Sequence, residues 1–240
     1  MSPPGEHTVL VCDDDADIGA ALTIYLTQAG YRVLTARDGL EALQVTARET
    51  VHLVLLDVMM PRLDGIQTAV RLRETSHVPI LFLSAKAEDT DRILGLTMGG
   101  DDYITKPFNP VELLARVKAA LRRYTRFSGL AETTGSADGT TLQTGGLALD
   151  TESKRVTVDG DEVQLTALEY AILELLMRNL DALLTSAQIY EAVWDRPAFD
   201  VAKTVSVHVR HIREKIEADP KNPRYLKVVY GLGYKVGRRK

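Results

Sequence analysis

From residue 8 to residue 123 short apolar runs alternate with amphipathic stretches, the pattern of a parallel sheet whose strands are joined by crossover helices. The spacing predicts strands at 8–12, 31–36, 53–57, 78–84 and 102–106. Leu53, Val54, Leu55 and Leu56 are apolar at every position rather than every second one, as a central parallel strand covered on both faces requires. Helix signals fall between the strands. Asp38 with Glu41 has capping-box spacing, Gly30 stops the first helix, and Asn109-Pro110 opens the last with Pro at its first position. Leu113, Leu114, Val117 and Leu121 supply that helix's apolar stripe.

Periodicity disappears over residues 124–140, which are rich in Ser, Thr and Gly and read as a flexible linker. GLALD, RVTVDG and DEVQL then alternate with turn residues such as Asp159-Gly160 and predict antiparallel hairpins. Beyond them the period changes to that of helices, over Thr166–Met177, Ser186–Trp194 and Val201–Ala218. Tyr225–Val236 alternates again around Gly231-Leu232-Gly233 and predicts a closing β-hairpin. The expected organisation is an α/β doubly wound five-stranded parallel domain at 8–123, a linker at 124–140, and an α+β domain at 141–238.

The 240 residues are enough for two domains, each with its own core. With 45% hydrophobic and 26% charged residues, wholesale disorder and fibrous repeats are excluded. No apolar run has the length of a membrane span and the first residues lack a basic, signal-like segment, so no membrane contact is expected and the expected location is the cytoplasm. The single cysteine, Cys12, sits in an apolar run and reads as a core residue. The net charge of −4 conceals a segregation: residues 203–240 carry 11 Lys/Arg against 3 Asp/Glu, a net of +8, and the other 202 residues carry 18 against 30, a net of −12. A polyanion is the natural partner of the basic end.

Polar residues stand where the predicted strands end: Asp13-Asp14-Asp15 after the first, Asp57 at the third, Ser84 at the fourth and Lys106 at the fifth. In a doubly wound sheet these ends open on one edge. Carboxylates crowded there repel unless a hard cation holds them, and an oxygen-only ligand set with open positions favours Mg²⁺. Asp57 is then placed to act as a nucleophile on a phosphoryl donor, with Lys106 neutralising the transferring oxygens and Ser84 offering a hydroxyl to the phosphoryl group. An aspartyl-phosphate hydrolase would place a second acid two residues after the nucleophile, where Met59 stands, and no glycine-rich GK[ST] loop exists for an NTPase, so an enzyme is not expected.

VLVCDDD, LVLLDVMMPRLDG, ILFLSAK and GGDDYITKPF resemble the receiver domain of bacterial two-component response regulators across residues 8–123. The resemblance implies that Asp14 and Asp57 ligate Mg²⁺ together with the Met59 carbonyl, with Asp13 helping through water. It implies a sensor histidine kinase as phosphoryl donor and a cis Lys106–Pro107 bond. It further implies that Tyr103 is an aromatic switch turning inward when Ser84 engages phosphate, and that a homodimer forms on activation through a face where Arg92 pairs with Glu112 and Asp102 with Arg116. Thr97 departs from an often acidic position of that face and leaves Lys118 short of a partner.

On the last predicted helix Lys203, Thr204, Val207, His208, Arg210, His211 and Arg213 form the candidate DNA face, while Val205, Val209, Ile212 and Ile216 form the packing stripe. The order hairpin sheet, LTALEYAILELLMRN, a helix ending in VWD, the basic helix and YLKVVYGLGYKV resembles the winged-helix effector domain of the OmpR/PhoB family over 141–238. The resemblance adds Tyr230 and Lys235 of the wing as DNA contacts, with Arg238 in reach of phosphate. Tyr230 stands where many relatives have Arg, which removes a minor-groove arginine. Also implied are direct-repeat half-sites and an RNA polymerase contact through the loop Trp194–Ala202. The expected function is a DNA-binding transcriptional response regulator.

Overall fold

The computed structural model describes residues 7–85, 99–127, 141–197 and 201–239. The chain divides into two units between Tyr124 and Thr125. The expected crossover helix before the fifth strand, with Arg92 and Thr97, lies outside the described residues, as does most of the expected linker.

The N-terminal unit is a five-stranded sheet of β1 (Thr8–Cys12), β2 (Arg32–Ala36), β3 (Leu53–Asp57), β4 (Ile80–Ala85) and β5 (Asp102–Lys106). The order is β2-β1-β3-β4-β5 and every pairing is parallel. Helices α1 (Ala16–Gln28), α2 (Gly39–Arg48), α3 (Gly65–Arg73) and α4 (Pro110–Phe127) accompany it. One sheet face buries Val9, Val11, Leu53, Leu55, Leu81 and Leu83 with Leu22 and Leu26 of α1 and Leu113 and Val117 of α4. The other buries Leu10, Cys12, Val54, Leu56, Ile80 and Phe82 with Ala42 of α2 and Leu72 of α3. The unbroken apolar run of β3 is thereby explained, since each successive side chain enters one core or the other. Cys12 donates to the Asp38 carbonyl at 3.2 Å, and burial pushes its thiol up to about 12, so it stays protonated and inert.

Three helix starts are set by aspartates. Asp15, Asp38 and Asp64 each accept backbone N–H groups of the first turn behind them. The capping box expected at Asp38 is incomplete: the Glu41 carboxylate accepts from Arg37 N–H at 2.8 Å instead of from the cap residue. Fully buried Asp38 also pairs with Arg62, whose φ is +64°, tying the loop after β3 to the loop after β2. The last helix runs to Phe127, past the expected boundary at 123.

The C-terminal unit opens with a four-stranded antiparallel sheet, β6 (Thr141–Thr144), β7 (Leu147–Asp150), β8 (Val156–Val158) and β9 (Asp161–Glu162). It continues through α5 (Ala167–Arg178), α6 (Ser186–Trp194), α7 (Ala202–Ile216) and the hairpin of β10 (Leu226–Val229) and β11 (Gly233–Val236). Thr166 with Glu169 and Thr185 with Gln188 close reciprocal capping boxes at α5 and α6. Buried Val205, Val209, Ile212 and Ile216 of α7 pack with Ile172, Leu176, Ile189 and Trp194. The helix stops at Ile216, short of the expected Ala218. Glu217 turns extended, and its buried carboxylate accepts the N–H groups of Arg224, Tyr225 and Leu226 at 2.6–2.8 Å. That bond set fixes the entry into the hairpin.

Gly65 opens α3 against the end of β3. A Cβ there would lie 2.0 Å from the Asp57 carbonyl oxygen, a backbone atom that cannot swing aside. Gly65→Ala is expected to destabilise the N-terminal unit by about 1–3 kcal/mol. Gly19→Ala, within α1 and with open space around it, is expected to stabilise it by about 0.5–1 kcal/mol. Urea unfolding of the two variants against the parent chain reads both signs.

Candidate functional site

The parallel topology brings three strand ends to one point. Asp13 follows β1 directly, Asp57 is the last residue of β3 and Lys106 the last of β5. Asp13 and Asp57 are buried and Asp14 is exposed. One carboxylate oxygen from each of the three aspartates lies within 4.8 Å of the others, a group that could hold a metal ion. At that spacing two like charges repel by about 3–4 kcal/mol for an effective dielectric of about 20, so a cation is needed if all three are to stay ionised. Lys106 meets part of the need. Its ammonium donates to Asp13 Oδ2 at 2.7 Å and stands 3.2 Å from Asp57 Oδ1.

The titration behaviour follows from this geometry. Burial raises the Asp57 carboxyl above its ordinary value and the Asp13 charge adds to the rise; the Lys106 charge and hydrogen bond oppose it without cancelling it. Burial alone would lower Lys106, but the hydrogen bond to Asp13 and the charges of Asp57 and Asp13 outweigh it, and the ammonium is held above its usual range. Buried Ser84 lies in register with Thr105 of β5, one position beyond Leu83, the partner of Asp57. Met59 is 75% exposed two residues past Asp57. The Lys106–Pro107 peptide is cis. Tyr103 is buried in the same sheet face as Phe82 and Ile80.

Of the expected dimer face, Asp102, Glu112 and Arg116 have partners in their own chain. Arg116 reaches both carboxylate oxygens of buried Asp102 at 3.0 Å, the Tyr103 carbonyl at 2.9 Å and Glu112 one turn earlier. Asp102 and Arg116 are thus an internal clamp on the start of β5, while Glu112 is half exposed. Arg92 lies outside the described residues.

In the C-terminal unit the expected basic face of α7 divides. Lys203 and Arg210 are exposed, and His211 and Arg213 are half-buried. Thr204, Val207 and His208 are buried, which corrects the expectation that the set as a whole faces solvent. Thr204 and His208 lie one turn apart beside the Val205–Ile212 stripe, and the His208 ring stands 5.6 Å from that of Trp194. Buried Glu169 of α5 receives Lys215 of α7 at 2.7 Å. Burial would raise this carboxyl, but the Lys215 charge and hydrogen bond, the Thr166 N–H and the His208 charge outweigh it and hold it below its usual range. Ser206, which the expected set did not include, is exposed between Lys203 and Arg210 at helical spacing. Arg213 Nε is committed to the Leu226 carbonyl at 2.9 Å. On the hairpin Tyr230 is exposed and Lys235 half-buried opposite Lys227. Among the described residues no helix is long and apolar enough to cross a membrane.

Comparison with known proteins agrees with this division. The response regulator receiver domain family matches residues 9–118, and the C-terminal domain family of transcriptional regulatory proteins matches 160–236. An uncharacterized transcriptional regulatory protein of Bacillus subtilis, YrkP, is 45% identical over 96% of this chain and 98% of its own. The sensory transduction protein RegX3 of Mycobacterium tuberculosis is 38% identical over 95% and 98%. A solved structure of a RitR mutant shares the fold at a TM-score of 0.73 and 24% identity, covering 97% of this chain and 99% of that one.

A carboxyl whose folded pKa is raised stabilises the fold only while it is protonated, and that stability is lost as pH rises through the folded value. Asp57→Asn, with chelator present, is therefore expected to raise the thermal midpoint of the N-terminal unit at pH 7 and to leave it nearly unchanged at pH 3. Melts of the two chains across that range measure it.

Proposed function

The chain belongs to the two-component response regulators of the OmpR/PhoB type, a receiver domain followed by a DNA-binding transcriptional domain, and from that membership we propose that Asp57 is the phosphoacceptor through which a sensor histidine kinase controls DNA binding. DNA and a sensor kinase are the partners that the two domains imply. The observation that carries the proposal is the convergence of Asp13, Asp14, Asp57 and Lys106 at the ends of three parallel strands.

In the transfer, an Asp57 carboxylate oxygen forms a bond to phosphorus as the phosphorus–nitrogen bond of the kinase phosphohistidine breaks, and the imidazole leaves with that electron pair. Lys106, already charged between two carboxylates, neutralises the incoming phosphoryl oxygens. Ser84 supplies a hydroxyl donor to one of them. The donor set fits Mg²⁺: oxygen ligands only, two of them buried and one, Asp14, open to solvent. Asp13, Asp14, Asp57 and the Met59 carbonyl would hold the ion, which supplies charge neutralisation at the transferred group. Tyr103, at a buried position on β5, is the residue proposed to couple the engagement of Ser84 to the α4–β5 face.

In the second domain Lys203, Ser206 and Arg210 face outward from α7 and are proposed to enter the major groove, with His211, Arg213, Tyr230 and Lys235 flanking them. The buried members of the expected set, Thr204, Val207 and His208, position the helix. Phosphorylation is proposed to favour a homodimer through the face that includes Glu112 and Arg92, placing two domains on direct-repeat half-sites, where linkage raises the effective concentration of the second contact. The Trp194–Ala202 loop, of which 198–200 lie outside the described residues, is proposed to touch RNA polymerase.

The test is fluorescence anisotropy on duplexes enriched from random sequence, with and without beryllofluoride and Mg²⁺. The mimic is expected to tighten binding of the parent chain by roughly 5- to 150-fold, the range of ordinary coupling energies, and to leave Asp57→Ala unchanged. Equal affinity with and without the mimic would separate DNA binding from Asp57.

A further inference from the structure

Arg62 lies in the segment between β3 and α3 with a φ of +64°, in the left-handed region that long side chains rarely enter. Its guanidinium pairs with Asp38, at the start of α2. That carboxylate is fully buried, and its two oxygens are used differently. Oδ1 accepts the N–H groups of Leu40 and Glu41 at 2.9 and 3.0 Å and so caps α2. Oδ2 makes no hydrogen bond among the described residues, and the Arg62 guanidinium is the charge that faces it. A buried carboxylate left without an opposite charge is costly, so the pair fixes both of its members.

The segment that contains Arg62 also carries the Met59 carbonyl of the proposed Mg²⁺ site. The Met59 side chain is 75% exposed and has no core to anchor it, so its carbonyl is placed by the ties on the residues around it. Val58 N–H donates to the Leu83 carbonyl at 3.1 Å, and Gly65 N–H donates to the Val58 carbonyl at 3.0 Å, which closes the segment on itself. The carbonyl of buried Leu63 accepts Gly39 N–H at 3.2 Å. A Cβ on Gly39 would lie 2.8 Å from that oxygen, so the loops after β2 and β3 are in close contact there. Arg62 precedes Leu63 and Asp38 precedes Gly39. The ion pair and the backbone bond therefore join neighbouring residues of the same two loops, and the exposed Pro61–Arg62 corner is held from outside by the ion pair.

We propose that Arg62 is a positioning residue for the metal site: its ion pair with Asp38 holds the segment after β3 so that the Met59 carbonyl is in place as a ligand, and thereby sets the affinity of the acidic edge for Mg²⁺. This rests on the reading of Asp57 as a phosphoacceptor with bound Mg²⁺. That ion demands near-ideal octahedral geometry, so a loosened carbonyl ligand lowers affinity even with all three aspartates present. Groups that orient a metal ligand without touching the metal commonly decide how tightly the metal binds.

Charge alone predicts a different pattern. A guanidinium repels a nearby cation and a carboxylate attracts one, so by electrostatics removal of Arg62 tightens Mg²⁺ binding and neutralisation of Asp38 weakens it. Positioning gives both changes the same sign, because loss of either partner frees the same segment. The two effects are therefore separable in one titration series.

The experiment is calorimetric titration of the full chain with magnesium chloride alone, for the parent, Asp57→Ala, Arg62→Gly, Arg62→Lys, Asp38→Asn and the double variant Asp38→Asn Arg62→Gly. Glycine suits the backbone angle at position 62, and asparagine keeps an oxygen for the cap of α2; thermal unfolding verifies that each variant folds. Arg62→Gly and Asp38→Asn are each expected to weaken Mg²⁺ binding by about tenfold, the lower end for groups that orient a metal ligand. The double variant is expected to bind no more weakly than the single ones, because both remove one shared interaction. Arg62→Lys, which keeps the charge, is expected to lie closer to the parent than Arg62→Gly. Parental affinity in Arg62→Gly, with binding lost in Asp57→Ala, overturns the positioning role and leaves the metal reading intact. Tighter binding in Arg62→Gly overturns it by reducing Arg62 to a long-range charge, and additive losses in the double variant overturn it by making the two residues independent. If the parent takes up no Mg²⁺, or Asp57→Ala binds it as the parent does, the metal reading of Asp57 fails, and the positioning role with it.

Discussion

Two buried carboxylates, Asp13 and Asp57, repel each other at the edge of the N-terminal sheet, and Lys106 is the cation that answers both. Each comes from a different strand, and only a parallel sheet in the order β2-β1-β3-β4-β5 brings those three ends together. The apolar cores on both faces of β3 hold the backbone against that repulsion. Gly65 then lets α3 begin so close behind Asp57 that its carbonyl oxygen occupies the space of a side chain. The cost of crowding charge at one edge is what makes the edge responsive, because any cation or anion arriving there changes a balance already strained by burial.

The C-terminal unit solves the reverse problem, holding a basic helix steady. Arg213 and Lys215 of α7 are directed inward, to the Leu226 carbonyl and to Glu169, so that not all of the helix's positive charge faces solvent. Glu169 also completes the capping box of α5, and the one carboxylate thereby joins the start of one helix to the last turn of another. Lys203, Ser206 and Arg210 form an exposed row at helical spacing, and Arg210 is steered by Glu214 at 2.8 Å. A row of this width suits base-edge contact better than a broad positive face, which would bind any polyanion.

Much of this architecture was legible in the chain, for identifiable reasons. Buried parallel strands carry unbroken apolar runs, so β1 and β3 were readable to the residue, and polar residues at the strand ends were readable as neighbours because the topology leaves one edge for them. The strand Thr141–Thr144 was not readable. Its sequence TLQT offers no apolar alternation, and what places it is pairing with β7 and the hydrogen bond of Thr144 to the Gly237 carbonyl, 93 positions away. Periodicity on α7 located the stripe of Val205 and Ile212 but not the width of the buried arc, which takes in Thr204 and also His208, whose ring lies beside that of Trp194. The internal pairing of Asp102 with Arg116 was likewise beyond pattern, since charge complementarity does not say whether a partner lies in the same chain.

The residues of β5 show how a local charge event at the acidic edge can be felt at a distance within the same unit. Lys106 ends the strand at the carboxylates, Thr105 lies in register with Ser84, Tyr103 enters the core beside Phe82, and Asp102 at the start is gripped by Arg116 of α4. On the proposed reading, an acyl phosphate on Asp57 brings a second negative group to the ammonium and a new acceptor to Ser84. Both pull on the same end of β5. A strand cannot lengthen, so a displacement at Lys106 is passed along its backbone to Tyr103 and to the Asp102–Arg116 clamp at the other end. On that reading the buried tyrosine and the clamp are the parts of the sheet whose packing would respond, and α4, which carries Arg116 and Glu112, is the helix that would carry the change to the surface.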